Sequence, residues 1–392
     1  MRDQLKHFPV NWIDGMKINK NHFIDQDNAF KASLHDASSL VLSSIRYGLL
    51  PSSAAGEDNC NVKISLDNQS TLRVSVISLQ AITSGGIRIV LPALSTFSQV
   101  ASDGTPATTF QFSSSSNETS WWVILTINPY EREPAGSPDT TENPPRFPYV
   151  LPTYTVEVVS ESQYRQYANH PYSLTIGKVS VNGNEVKVEY DYIPPCFSVS
   201  AHPDLVALHG ELDQFLAGME IRCSQIVQKI FKKSQQNELS ELVLFLCDRV
   251  ILFLSQAITG LRSFLIHESP AILFANIASL SRLMKNTIDL RIGSGKDELM
   301  NYLSEWCELK QGELETMLGD IANLRYDNND INQSISKVIR FAKVTSKLFE
   351  TLSNLEFIGK RKESGIFVKE EVIQNQSSDS QQQNKGRRRF FG

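Results

Sequence analysis

Gly293-Ser294-Gly295-Lys296 carries the clearest chemical promise in this sequence, because glycines ahead of a lysine can bare backbone N–H groups to a phosphate. The spacing does not complete the idea. A phosphate loop needs another glycine five residues before Gly295, where Leu290 stands. It also needs a Ser or Thr after the lysine to hold Mg²⁺, where Asp297 stands. The run follows a helical pattern and reads as a turn between helices. His22, Asp25 and Asp27 are potential metal ligands close in sequence, but positions i, i+3 and i+5 do not converge on one helix face. His22 therefore reads as a structural histidine at a helix start or an interface. The carboxylate pairs Asp327/Asp330 and Glu370-Glu371 lie in polar stretches with nothing to raise a pKa. Cys60, Cys196, Cys223, Cys247 and Cys307 are scattered and form no C-x-x-C pair, as expected of reduced cytosolic thiols rather than a zinc site or a disulfide framework. No Ser or Cys stands at recognisable spacing from a base. The sequence predicts no catalytic residue, no metal site and no cofactor, and a β-sandwich hydrolase is set aside on that ground.

Composition narrows the class further. At 392 residues the chain exceeds one ordinary core, so two or three domains are expected. A formal net charge of −5 argues against broad nucleic-acid binding, which needs a basic field. Residues 1–9 lack the apolar core of a signal peptide. The longest apolar run, Leu239 to Ile258, carries Glu241, Asp248 and Arg249, so it reads as a buried bundle helix and not as a membrane insertion.

Two kinds of periodicity divide the chain near Cys196. Before it, apolar residues alternate at Leu72/Val74/Val76, Ile87/Ile89/Leu91 and Val186/Val188/Tyr190. Asn182-Gly183-Asn184 predicts a hairpin, and residues 121–127 (WWVILTI) a strand buried on both faces. This is the pattern of an antiparallel β-sandwich. Seven prolines between Pro129 and Pro152 predict an extended surface loop there, either a connector or a contact arm. After Pro194-Pro195 the period turns helical. Leu205, Leu208, Leu212, Phe215, Met219, Cys223, Ile226 and Ile230 repeat at threes and fours with one stutter, a heptad stripe that suits either a domain core or a seam between subunits. Further helices are expected over 238–267, from Pro270 with Ser269 as N-cap, from Asp297 past Gly312 toward Leu324, and over 330–352. Residues 374–392 are low in complexity and predicted disordered. In that tail Arg387, Arg388 and Arg389 precede Phe390 and Phe391, a docking peptide in which arginines recognise carboxylates and phenylalanines fill an apolar pocket.

Residues 10–27 (VNWIDGMKINKNHFIDQD) hold the most specific signal. Trp12, Asp14, Gly15, Met16, His22, Phe23, Gln26 and Asp27 resemble the N-terminal signature of the TssK family, baseplate subunits of the bacterial type VI secretion system, a contractile injection system. Residues 192–196 (YIPPC) and 267–270 (HESP) resemble later family segments in the same order, so the similarity covers about residues 8–310. The resemblance implies an α+β homotrimer with no enzymatic role. Its parts would be a β-sandwich shoulder like that of phage receptor-binding proteins (1–195), a helical-bundle neck (196–312), a C-terminal head (313–373) and the disordered tail (374–392). It implies binding to TssF/TssG-like wedge proteins and to the membrane complex, in the cytoplasm at the inner-membrane baseplate. It also implies that Val10, Trp12, Gly15, His22 and Phe23 form the wedge-binding or N-terminal motif. Leu205, Leu208, Leu212, Phe215, Met219, Ile226 and Ile230 are assigned to the trimer seam. The head is shorter than the family's usual one, as in a divergent, Bacteroidetes-like branch, and the Arg-Phe tail is expected to replace its contact. A phage-type receptor-binding or tail trimer is the rival reading.

Overall fold

The computed structural model describes residues 6–52, 59–91, 105–112, 118–168, 170–182 and 185–359. The tail Arg387–Phe391 lies outside them. The chain divides into two compact units. The first holds residues up to His202 together with 267–271 and 326–333; the second holds 203–266, 272–325 and the chain from Ser334.

The first unit opens with helix α1 (Lys20–Ser39) and continues as two antiparallel sheets. One sheet is organised by β3 (Thr71–Ile82). Along one edge β3 takes β2 (Cys60–Leu66) and then β1 (Gly48–Leu49), and along the other β5 (Ala107–Gln111) and then β4 (Arg88–Leu91). Leu72, Val74 and Val76 are buried as the alternation predicts. The alternation then changes phase. Asn61 pairs with Ser78 but Val62 with Val76, so Ile77 is an extra residue on β3. This bulge leaves Ile77 exposed and moves the inward set to Leu79 and Ala81.

The second sheet runs β7 (Tyr149–Ser160), β6 (Ser120–Ala135), β8 (Ser173–Asn182), β9 (Glu185–Val188). Flanked on both sides, β6 buries Trp122, Val123, Ile124, Leu125 and Ile127, so this strand is two-faced as expected. Asn182 pairs with Glu185, which closes the expected hairpin, although Tyr190 lies beyond β9 and is 79% exposed. The proline-rich stretch is corrected in part. β6 continues through Pro129 and Pro134 to Ala135, paired with β7 across a bulge between Asn128 and Glu133. Beyond Thr126 it has no β8 partner, and β7 is an edge strand, so the missing proline donors break no ladder bond on those free sides. The sheets meet at Gly177, where a Cβ would stand 2.6 Å from Cδ1 of Ile64. Helix α2 (Glu161–Tyr167) seals one end: Tyr164 stacks on Trp122 at 4.3 Å, and the Trp122 indole N–H donates to Glu161 at 2.6 Å.

Residues returning to this unit are tied in by polar contacts. Tyr47 and Tyr192 donate hydroxyl hydrogens to Asn329 Oδ1 and its carbonyl, and Lys178 pairs with Asp330 at 2.9 Å. The Ser269 hydroxyl donates to the Ile45 carbonyl and accepts from the Ala271 N–H, so Ser269-Pro270 starts a helix as expected.

The second unit is helical. It contains α3 (Pro203–Lys232), α4 (Glu238–Ser263), most of α5 (Pro270–Asp289), α6 (Lys296–Cys307), α7 (Gln311–Ala322) and most of α8 (Ile331–Asn354). The fourth expected helix is in fact two, because Glu308 takes a left-handed conformation (φ 59°) that ends α6 before α7 begins. Gly293 and Gly295, both at positive φ, form the turn between α5 and α6. Lys296 is held at 2.8 Å by both Asp289 and Glu315, so the would-be phosphate lysine joins helices. The Lys285 ammonium, and then that of Lys296, hold the Asp289 carboxyl below the usual range. Helix α4 is long and apolar enough to cross a membrane, but Leu242, Val243, Leu246, Val250 and Leu254 are buried within this unit.

The assignment of the α3 stripe to a trimer seam is corrected. Leu205, Leu208, Leu212, Met219 and Ile226 have no exposed surface in the single chain, and Phe215 and Ile230 retain only 5% and 4%. Phe215 meets Phe341 of α8 edge-to-face at 6.3 Å, and Cys223 meets Cys247 of α4 thiol to thiol. A side chain with no surface left has nothing to offer a second copy.

Candidate docking surface

The segment 10–27 folds as an arm laid on a helix start. Asp14-Gly15 turns the chain: the Met16 N–H donates to the Ile13 carbonyl at 3.2 Å, and Gly15 supplies φ +78°. Asn19 then caps α1. Its side-chain oxygen accepts the N–H groups of Asn21 (2.9 Å) and His22 (3.4 Å), while His22 Nδ1 accepts the Asn19 N–H at 3.3 Å. His22 is the structural histidine at a helix start that its setting predicted. One side chain fastens the arm: Gln26 Oε1 accepts the Val10 N–H at 3.1 Å and the Trp12 indole N–H at 3.4 Å. Trp12 lies 6.2 Å from the His22 ring and 6.1 Å from Phe23, edge-on to the first. The structure thus brings Val10, Trp12, His22 and Phe23 together through Gln26, with Gly15 as the hinge of the turn.

Helix α1 wears its apolar residues in an unusual order. The buried side presents small residues, Asn28, Ala29 and Ala32. Arg132 of β6 clamps this side by pairing with Asp27 and donating to Asn28 Oδ1 at 3.3 Å. Asp27 also pairs with Lys31 at 3.3 Å, so its charge is already engaged within the unit. The opposite side presents Phe23 (61% exposed), Phe30 (63%) and Leu34 (66%), whose spacings of seven and four place them on one stripe. With Trp12, which touches Phe23, they form a row of exposed large apolar side chains along α1, interrupted by Gln26 and Asp27. Covering one such side chain contributes about 1.5–3 kcal/mol.

Sequence reasoning found Trp12 and Phe23 but missed Phe30 and Leu34. The i, i+7, i+11 repeat was the available signal; it reads equally as a core stripe until the alanines opposite are seen to be the buried side.

Beyond the inner side of α1, His35 is pressed toward its neutral form by burial and, secondarily, by Lys31. Its Nδ1 is buried with no hydrogen-bond partner. Tyr130 stands 6.3 Å away, its hydroxyl pushed up to about 12 by burial and by neighbouring Tyr172. None of these groups is arranged as a nucleophile with its base.

No protein-family model and no curated protein matches the chain. Solved structures similar to it are of TssK. A crystal structure of TssK is 15% identical, with TM-score 0.48 over 88% of this chain and 72% of that one. TssK from the type VI secretion system of EAEC, in complex with a nanobody, is 15% identical with TM-score 0.44 over 83% and 99%. A TssK–TssF–TssG baseplate subcomplex contains a chain 14% identical, with TM-score 0.44 over 88% and 100%.

Proposed function

We propose that this chain is a divergent TssK-type baseplate subunit: a non-catalytic, trimeric adaptor linking TssF/TssG-like wedge proteins to a membrane complex on the cytoplasmic side of the inner membrane. One observation carries the reading. In the segment holding the family-like residues, Asn19, His22 and Gln26 brace the backbone while Trp12, Ile13, Ile18 and Phe23 are left exposed. The order of the other family-like segments agrees: residues 192–196 stand just ahead of the helical unit, and 267–270 open α5.

In this reading the first unit is the shoulder, and Trp12, Phe23, Phe30 and Leu34 meet the wedge. The helical unit is the neck, with residues from 313 onward in place of the larger head. Trimer contacts use exposed apolar positions of the helical unit, such as Ile221 (58% exposed) and Leu252 (66%), in place of the buried α3 stripe.

Co-expression with TssF- and TssG-type wedge proteins tests the proposal. A stable complex is expected, and native mass spectrometry of the chain alone should give three copies. A monomer at high concentration that captures no wedge protein would overturn it.

A further inference from the structure

At the C-terminal end of α1 the first unit encloses a cavity of about 610 Å³, within the size range of small binding sites. Several independent features give it a preference for cations. The end of α1 borders it, and a helix C-terminus carries partial negative charge. No basic residue occupies the last turn of α1 to offset that charge. Asp36 and Asp327 line the cavity, and neither makes an ion pair among the described residues. Tyr130 and Tyr172 supply aromatic rings suited to a planar cation. Lys6 is the opposing charge on the lining. Beside the opening the chain leaving α1 is apolar and uncovered: Leu40 is 57% exposed, Val41 70% and Ile45 38%.

A site with two carboxylates, an uncompensated helix end and an apolar rim calls for arginine next to aromatic residues. This chain contains such a segment. Arg387-Arg388-Arg389-Phe390-Phe391 lies in residues 360–392, beyond the last described residue. Four cations against Asp379 give residues 376–392 a charge of +3. An extended chain advances about 3.3–3.6 Å per residue, so a linker of this length reaches far across a protein surface.

We propose that the Arg387–Phe391 segment of this chain docks at the α1 cavity, its arginines on Asp36 and Asp327 and its phenylalanines on Leu40, Val41 and Ile45. The tail is then a ligand of the first unit, and occupancy of the cavity is set by the chain itself. This is independent of the baseplate reading, because the contact is read in the purified chain.

Photocrosslinking tests it in the full-length chain carrying Phe390→p-benzoylphenylalanine. Adducts are expected to concentrate on residues 36–45 and 326–329. Asp36→Asn with Asp327→Asn should cut their yield about tenfold, as should Arg387→Gln, Arg388→Gln and Arg389→Gln together. Both sets are isosteric or lie in the tail, and an unchanged melting curve will show that the fold is kept. Adducts spread over the whole surface, adducts centred elsewhere, or a yield indifferent to both sets of charge removals would overturn the proposal. Crosslinking only to added anionic vesicles would overturn it too.

Discussion

Helices α1 and α3 carry similar apolar repeats and use them in opposite ways. The α3 stripe from Leu205 to Ile230 is consumed inside its own unit, whereas the large residues of α1 face water and its alanines are buried. Periodicity identifies an apolar stripe, but it does not say what covers it. The side opposite the stripe is the better guide. In α3 that side holds Gln214, Gln225 and Gln228, which are exposed, as solvent requires. In α1 it holds Asn28, Ala29 and Ala32, small residues that are buried within the first unit. A helix with a small-residue side and a large-residue side can bury either one, and α1 buries the small side, leaving the large one exposed.

The largest expected effect separates the two helices directly. Leu212→Ala should lower the stability of the helical unit by about 2–5 kcal/mol, because it opens a cavity in a packed core. Denaturant titration measures this. A variant with unchanged stability but a lost trimer would restore the seam that burial argues against.

A smaller effect should come from the inner side of α1 as pH falls. The folded-state pKa of His35 lies below the ordinary 6.5, chiefly through burial. Between those two values the unfolded chain binds more protons than the folded one, so stability rises with pH. The contribution is complete above pH 6.5 and is lost as pH drops toward the folded value. His35→Gln should flatten that part of the stability–pH profile. A wild-type profile no steeper than the variant's would mean that His35 is not held neutral.

The least change in stability should come from the outer side. Phe30→Ser with Leu34→Ser should move the folding free energy by no more than about 0.5 kcal/mol per site, since both side chains are already in water. Capture of the wedge proteins should fall more than tenfold. A large drop in melting temperature would place these residues in a core, and intact capture would move the docking surface elsewhere.

Much of the architecture was legible because it follows from local chemistry. Alternation marked β3 and β4, a continuous apolar run marked β6, Asn182-Gly183-Asn184 marked the β8–β9 hairpin, and Ser269-Pro270 marked the start of α5. Other features depend on partners distant in sequence. The bulge at Ile77 is a matter of register with β2, and the prolines of β6 are tolerated because the sheet leaves one side of that strand free. The break at Glu308 rests on one residue's φ, which helix-favouring neighbours concealed.

The same division holds for the candidate surface. The amino-acid order determined that residues 10–27 form a turn and a capped helix start, since Gly15, Asn19 and His22 act over a few bonds. It also determined that α1 and α3 would each bear an apolar stripe. Only the folded chain decided which stripe remains exposed. Burial is a property of what lies across the gap, and for α1 that is a sheet whose Arg132 is brought to Asp27 by tertiary packing, not by neighbourhood in sequence.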